Sequence, residues 1–182
     1  AVLGSGLATV LPRLVQAAVD GDPAALAFDG DTILLADRGL FVSDDAGQTW
    51  TAAETLGNVL SLATHRDRPG RVVAGLAEGG VSISEDGGAS WRIFEARLPD
   101  GEITAVAIAS RNPDMIYASL RGDGLWKSED AGATWSLAMD RPWLDDAERE
   151  LLSLASVELE TGMGGIWIYA GTEVGLTRVP DC

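Results

Sequence analysis

The chain has 182 residues, enough for one domain with a sizeable core, and its 46% apolar and 23% charged content excludes wholesale disorder. A formal net charge of −15, from 28 Asp and Glu against 13 Lys and Arg, disfavours nucleic acid and anionic membrane surfaces and favours a basic partner. Cys182 is the sole cysteine, so there is no internal disulfide and no cysteine-based metal cluster, and the redox compartment stays open.

Taken in chain order, Ala1 to Leu11 is apolar but is broken by Gly4, Ser5 and Gly6 and lacks a basic flank. It therefore reads neither as a membrane-spanning helix nor as an intact signal peptide. It carries Gly6-Leu7-Ala8-Thr9, the first copy of a strand phrase that recurs. Strands are then predicted at Pro23–Phe28, at Thr32–Ala36 and from Gly39-Leu40-Phe41-Val42, the last running into Ser43-Asp44-Asp45-Ala46-Gly47-Gln48-Thr49-Trp50. The order returns with Val59–His65, Arg71–Leu76, Gly80-Val81-Ser82-Ile83 and the box Ser84-Glu85-Asp86-Gly87-Gly88-Ala89-Ser90-Trp91. It returns again with Glu102–Ser110, Met115–Ser119, Gly124-Leu125-Trp126-Lys127 and Ser128-Glu129-Asp130-Ala131-Gly132-Ala133-Thr134-Trp135. A last round, Leu151–Glu158, Ile166–Ala170 and Gly175-Leu176-Thr177-Arg178, has no box.

The three boxes share S-x-D-x-G-x-[ST]-W, and their tryptophans lie 41 and 44 residues apart. That period equals one four-stranded blade, so the expected fold is an all-β propeller of about five antiparallel blades with incomplete end blades. Residues 1–182 form a single domain, with blades at about 1–20, 21–56, 57–98, 99–140 and 141–182. Closure or association is expected, because an open propeller exposes apolar blade faces and strand edges.

In each box the Asp (Asp45, Asp86, Asp130) is expected to accept backbone N–H bonds in a tight turn. The Gly (Gly47, Gly88, Gly132) supplies a positive φ. Ser43, Ser84 and Ser128 open the boxes, and Thr49, Ser90 and Thr134 bond back across them, while Trp50, Trp91 and Trp135 bury their indoles. Identical placement in three blades marks these residues as structural rather than catalytic. The spacing is not that of a calcium-binding EF-hand loop, His65 has no second histidine to share a metal with, and Gly4-Ser5-Gly6 and Gly122-Asp123-Gly124 are turns rather than phosphate loops. No metal and no cofactor are expected.

The run Arg111-Asn112-Pro113-Asp114-Met115-Ile116-Tyr117-Ala118-Ser119-Leu120, leading into the third box, resembles the Asp-box, or BNR, repeat family. That family includes sialidases, xyloglucan-cleaving glycoside hydrolases, sortilin-type receptor ectodomains and the photosystem II assembly factor. A sialidase implies an arginine cluster, a tyrosine nucleophile with a glutamate, and an acid/base aspartate. Here Leu11-Pro12-Arg13 departs from the family's Arg-Ile-Pro phrase, and Tyr117 and Tyr169 occupy equivalent strand positions that blade packing explains. The resemblance therefore implies a scaffold without a recognisable catalytic set.

Alternation of strand direction places the loops between second and third strands, and the connections between blades, on one face. That face is expected to offer Arg38, Glu78, Arg121, Asp123 and Glu173, together with Arg97 and the insertion around Arg141 and Trp143. The leading reading is a non-catalytic protein- or peptide-interaction propeller, with a place in a larger assembly. The alternative is a carbohydrate-binding or sialidase-related propeller taking a glycan on the same face.

Overall fold

The computed structural model describes residues 23–53, 56–94, 98–139, 150–159 and 165–181. Within them lie fifteen strands in four separate antiparallel sheets, each a meander in chain order. The first sheet holds β1 (Ala25–Asp29), β2 (Thr32–Ala36), β3 (Leu40–Ser43) and β4 (Thr51–Ala52). The second holds β5 (Val59–Thr64), β6 (Val72–Leu76), β7 (Val81–Ser84) and β8 (Arg92–Phe94). The third holds β9 (Ile103–Ala109), β10 (Asn112–Leu120), β11 (Gly124–Ser128) and β12 (Ser136–Met139). The fourth has three strands among the described residues, β13 (Leu151–Leu159), β14 (Gly165–Thr172) and β15 (Gly175–Asp181). The inner and second strands therefore fall within a few residues of the sequence expectation. The largest difference is β10, which begins at Asn112 because it pairs back on Ala109 before a bulge.

First strands of successive sheets pack on one another, β1 on β5, β5 on β9 and β9 on β13. This is the radial arrangement of a propeller, with the first strands lining the axis. Small residues at these contacts allow close approach. A Cβ built on Gly75 of β6 would lie 2.5 Å from Ser61 Oγ, 2.6 Å from Ile103 Cγ2 and 3.0 Å from the Ile103 carbonyl oxygen of the next blade.

The core lies between sheets rather than within one. Leu34, Ala36 and Leu40 of the first sheet meet Val59, Val72 and Ala74 of the second. Val73, Val81 and Ile83 on the other side of that sheet meet Val106, Ile108 and Ile116 of the third. Ala107, Tyr117 and Leu125 then meet Leu151, Ile168 and Ala170 of the fourth. Each buried aliphatic side chain is worth roughly 1.5–3 kcal/mol of removed apolar surface, so a blade owes its stability to its neighbours.

Polar ties cross the same seams. Arg71, almost wholly buried, grips Glu85 of its own box with Nε (3.2 Å) and Nη2, and reaches Pro113 O at 2.6 Å and Asp114 Oδ1 at 2.7 Å in the next blade. His65 is also buried. Its Nδ1 accepts the Asp67 N–H at 3.2 Å, which leaves Nε2 to donate to Ala109 O at 3.1 Å across the seam. Replacing Gly75 with Ala should cost about 1–3 kcal/mol, read as a lower denaturant midpoint, because the backbone of Ile103 cannot recede without opening the seam.

Candidate functional site

The two rims of the propeller differ in how they use their polar groups. On one rim stand the turns after first strands and the box hairpins. In the first box Ser43 Oγ donates to Asp45 Oδ1 (2.8 Å) and accepts the Gly47 N–H (2.9 Å), while Asp45 accepts the Thr49 N–H (2.8 Å) and its hydroxyl (2.6 Å). The second box repeats these four bonds with Ser84, Asp86, Gly88 and Ser90. The third repeats them with Ser128, Asp130, Gly132 and Thr134. The indoles of Trp91 and Trp135 donate to the Gly88 and Gly132 carbonyls at 2.9 and 3.1 Å and pack against the interblade clusters.

These bonds all favour the ionised carboxylate. Hydrogen bonds from Thr49 and from Ser90, side chain first, bring Asp45 and Asp86 from 3.8 to about 2, and those from Thr134 lower Asp130 in the same way. A cleft of about 630 Å³ lies between the first two boxes, lined by Asp44, Asp45, Asp86 and Gly87, but Asp45 and Asp86 are occupied by their own turns. Among the described residues, no cluster of three or more His, Cys, Asp or Glu is arranged to hold a metal ion.

The opposite rim collects the loops after second strands and the interblade connections. Contacts bind the two kinds of segment together: Ala77 N–H donates to Asn58 O (2.9 Å), Arg121 N–H to Glu102 O (3.0 Å), and Asn58 N–H to Glu78 Oε2 (3.3 Å). The structure thus brings Arg38, Glu78, Arg121, Asp123 and Glu173 to one rim, on four successive sheets. Arg97, Arg141 and Trp143 lie outside the described residues.

Their states differ. Arg121 is held by Glu102 through Nε and by Glu150 through Nη1 (3.1 Å). The Glu102 hydrogen bond, and then the charges of Glu102, Glu150 and Glu173, push its guanidinium above its usual range. Asp123 accepts the Trp126 indole N–H at 2.9 Å. Arg38 is 83% exposed in its side chain, touches only its neighbour Asp37 at 3.5 Å, and sits at φ 50°. The second sheet has Gly79, φ 97°, one residue before its third strand's leading glycine, where the first sheet has Arg38.

The sequence also places Asp37 and Asp100 on this rim, whereas Glu102 and Glu150 were not singled out from it. Against seven acids on this rim (Asp37, Glu78, Asp100, Glu102, Asp123, Glu150 and Glu173) stand Arg38 and Arg121 among the described residues. A cleft of about 590 Å³ opens here beside Glu78 and Asp100, floored by Leu56, Leu76 and Leu98 and flanked by the exposed Ile93. No helix among the described residues is long and apolar enough to cross a membrane.

Two consequences of the box geometry are measurable. A carboxylate lowered on folding adds stability that is present above its unfolded value near 3.8 and is lost as pH falls through about 2. Denaturant midpoints should therefore fall between pH 4 and pH 2, and Asp86→Asn should shrink that fall while weakening the fold at neutral pH. Ala46 and Ala131, at φ 60° and 55°, occupy the left-handed position that Gly87 fills in the second box. Ala131→Gly should raise stability by up to about 1 kcal/mol in equilibrium unfolding.

Among known proteins, the BNR/Asp-box repeat pattern matches residues 41–52. No curated protein sequence matches the chain. The structure is similar to the GH74 enzyme of Niastella koreensis, with a TM-score of 0.69 and 15% identity over 88% of this chain and 28% of that one. It is similar to the GH74 xyloglucanase of Xanthomonas campestris, with a TM-score of 0.58 and 19% identity over 86% of this chain and 30% of that one. It is similar to YCF48 of Cyanidioschyzon merolae, with a TM-score of 0.57 and 15% identity over 88% of this chain and 56% of that one, and YCF48 has also been solved bound to D1 peptide. The chain thus spans about a third or less of the GH74 enzymes and about half of YCF48. Three ordered boxes, radially packed antiparallel sheets and these similarities show a β-propeller fold that carries Asp-box repeats.

Proposed function

We propose that this propeller is a non-catalytic protein- or peptide-interaction module, which takes a basic, partly apolar segment on the rim opposite the boxes. The observation that carries the reading is the cleft beside Glu78 and Asp100, where two exposed carboxylates flank an apolar floor and no cation among the described residues neutralises them. A lysine or arginine of the partner would meet the carboxylates while an adjacent aliphatic side chain covers Ile93 and Leu98. Arg121, saturated by Glu102 and Glu150, acts in this reading as a brace that fixes acidic neighbours rather than as a contact. Arg38 is the cation left to meet an acidic group of the partner, and its strained turn is consistent with retention for binding. The solved YCF48 complex with D1 peptide lends the scaffold a precedent for a peptide ligand.

The carbohydrate reading draws on the GH74 neighbours, whose likeness at 15–19% identity is one of fold. The test is a fluorescence-anisotropy titration of basic-apolar peptides against the protein, with a glycan array run in parallel. The expected result is peptide binding that weakens with salt, and a loss of about three- to tenfold for Glu78→Gln with Asp100→Asn. Unchanged affinity in that variant, or binding confined to glycans, would overturn the proposal.

A further inference from the structure

Because every blade repeats the same register, each position in an end blade has counterparts inside the fold that show what ordinarily covers it. The residue after the glycine that opens the third strand is Leu40, Val81, Leu125 and Leu176 in the four sheets. The first three are 2%, 0% and 0% exposed, each under the following blade, whereas Leu176 is 73% exposed. The other end mirrors this. Leu26 and Phe28 of β1 pair with Leu35 and Ile33, as Val106 and Ile108 of β9 pair with Ala118 and Ile116. Val106 and Ile108 are 3% and 5% exposed beneath the preceding blade, and Leu26 and Phe28 are 55% and 58% exposed.

The leading face of the first sheet and the trailing face of the fourth are thus the two halves of one interface, the interface that already joins the sheets three times within the chain. We infer that the face bearing Leu176 docks on the face bearing Leu26 and Phe28 of a second copy of this chain, head to tail, so that two copies close one ring. Exposure of all three side chains shows that the four described sheets do not close on one another. Closed propellers hold roughly four to eight blades, so two copies of the four described sheets, the expected blade at 1–20 lying outside the described residues, fall within the range and three copies exceed it. A head-to-tail contact that closes after two copies satisfies both faces of both chains, whereas one that failed to close would polymerise.

The association is driven by apolar burial between chains that each carry −15, so it should strengthen as salt screens their repulsion, opposite to the peptide binding proposed above. The test is the mass of the full chain in solution by light scattering after size exclusion, across protein and salt concentrations. Twice the 19.0 kDa chain mass is expected. Phe28→Asp and Leu176→Asp, each on an exposed side chain, should each give a monomer that keeps the far-ultraviolet dichroism and cooperative unfolding of the parent. An equimolar mixture of the two variants should re-associate, because it re-creates one unaltered leading–trailing pair. A parent mass of 19.0 kDa at every concentration would overturn the inference, leaving these faces to further blades of a longer polypeptide or to a different protein. So would a dimer indifferent to both substitutions, or variants that stay monomeric when mixed.

Discussion

A four-stranded sheet two to nine residues deep has two apolar faces and no means of covering either, and the rest of this molecule follows from that constraint. Burial is reached only by stacking, which is why the three hydrophobic clusters all straddle sheet boundaries. It also explains the polar ties. Arg71 and His65 each gain further partners when the third sheet is seated, so they lend direction to a contact whose apolar part is indifferent to small rotations. Removing the buried guanidinium from this junction leaves Glu85 and Asp114 to the more exposed Arg68, a loss of a different kind from a cavity.

Much of the scaffold was legible in the sequence because its signals are local. The box bonds close within eight residues, so Ser43, Asp45 and Thr49 announce their turn without reference to the rest of the chain. The strand phrase that starts Gly-Leu or Gly-Val is equally local, since the glycine leaves the turn and the aliphatic enters the core. What escaped the sequence is non-local. Arg71 looks like any arginine at the start of a strand, and only its neighbour across the seam, Asp114, 43 positions away, shows why it is buried. Arg121 reads as an available cation until Glu102 and Glu150, from two different connections, are seen to hold it. His65, from sequence a lone histidine at the end of a predicted strand, is a buried crosslink because its ring meets Ala109 O across the seam.

The two rims divide the electrostatic work. Carboxylates of the boxes are consumed by backbone and hydroxyl donors, so their charge is spent inside their own turns and pulls their proton affinity down. Carboxylates of the opposite rim outnumber the cations near them among the described residues.

The self-sufficiency of the box hairpin has a consequence for how such a chain can change over evolutionary time. A turn whose serine, aspartate, glycine and hydroxyl partner satisfy one another takes those hydrogen bonds from its own few residues and not from the blade beside it. Duplication or deletion of a whole blade then leaves the internal bonds of every hairpin intact and asks that the aliphatic faces and polar ties of the new neighbours match. A molecule built this way can alter its number of blades by recombination between repeats while the opposite rim diversifies independently.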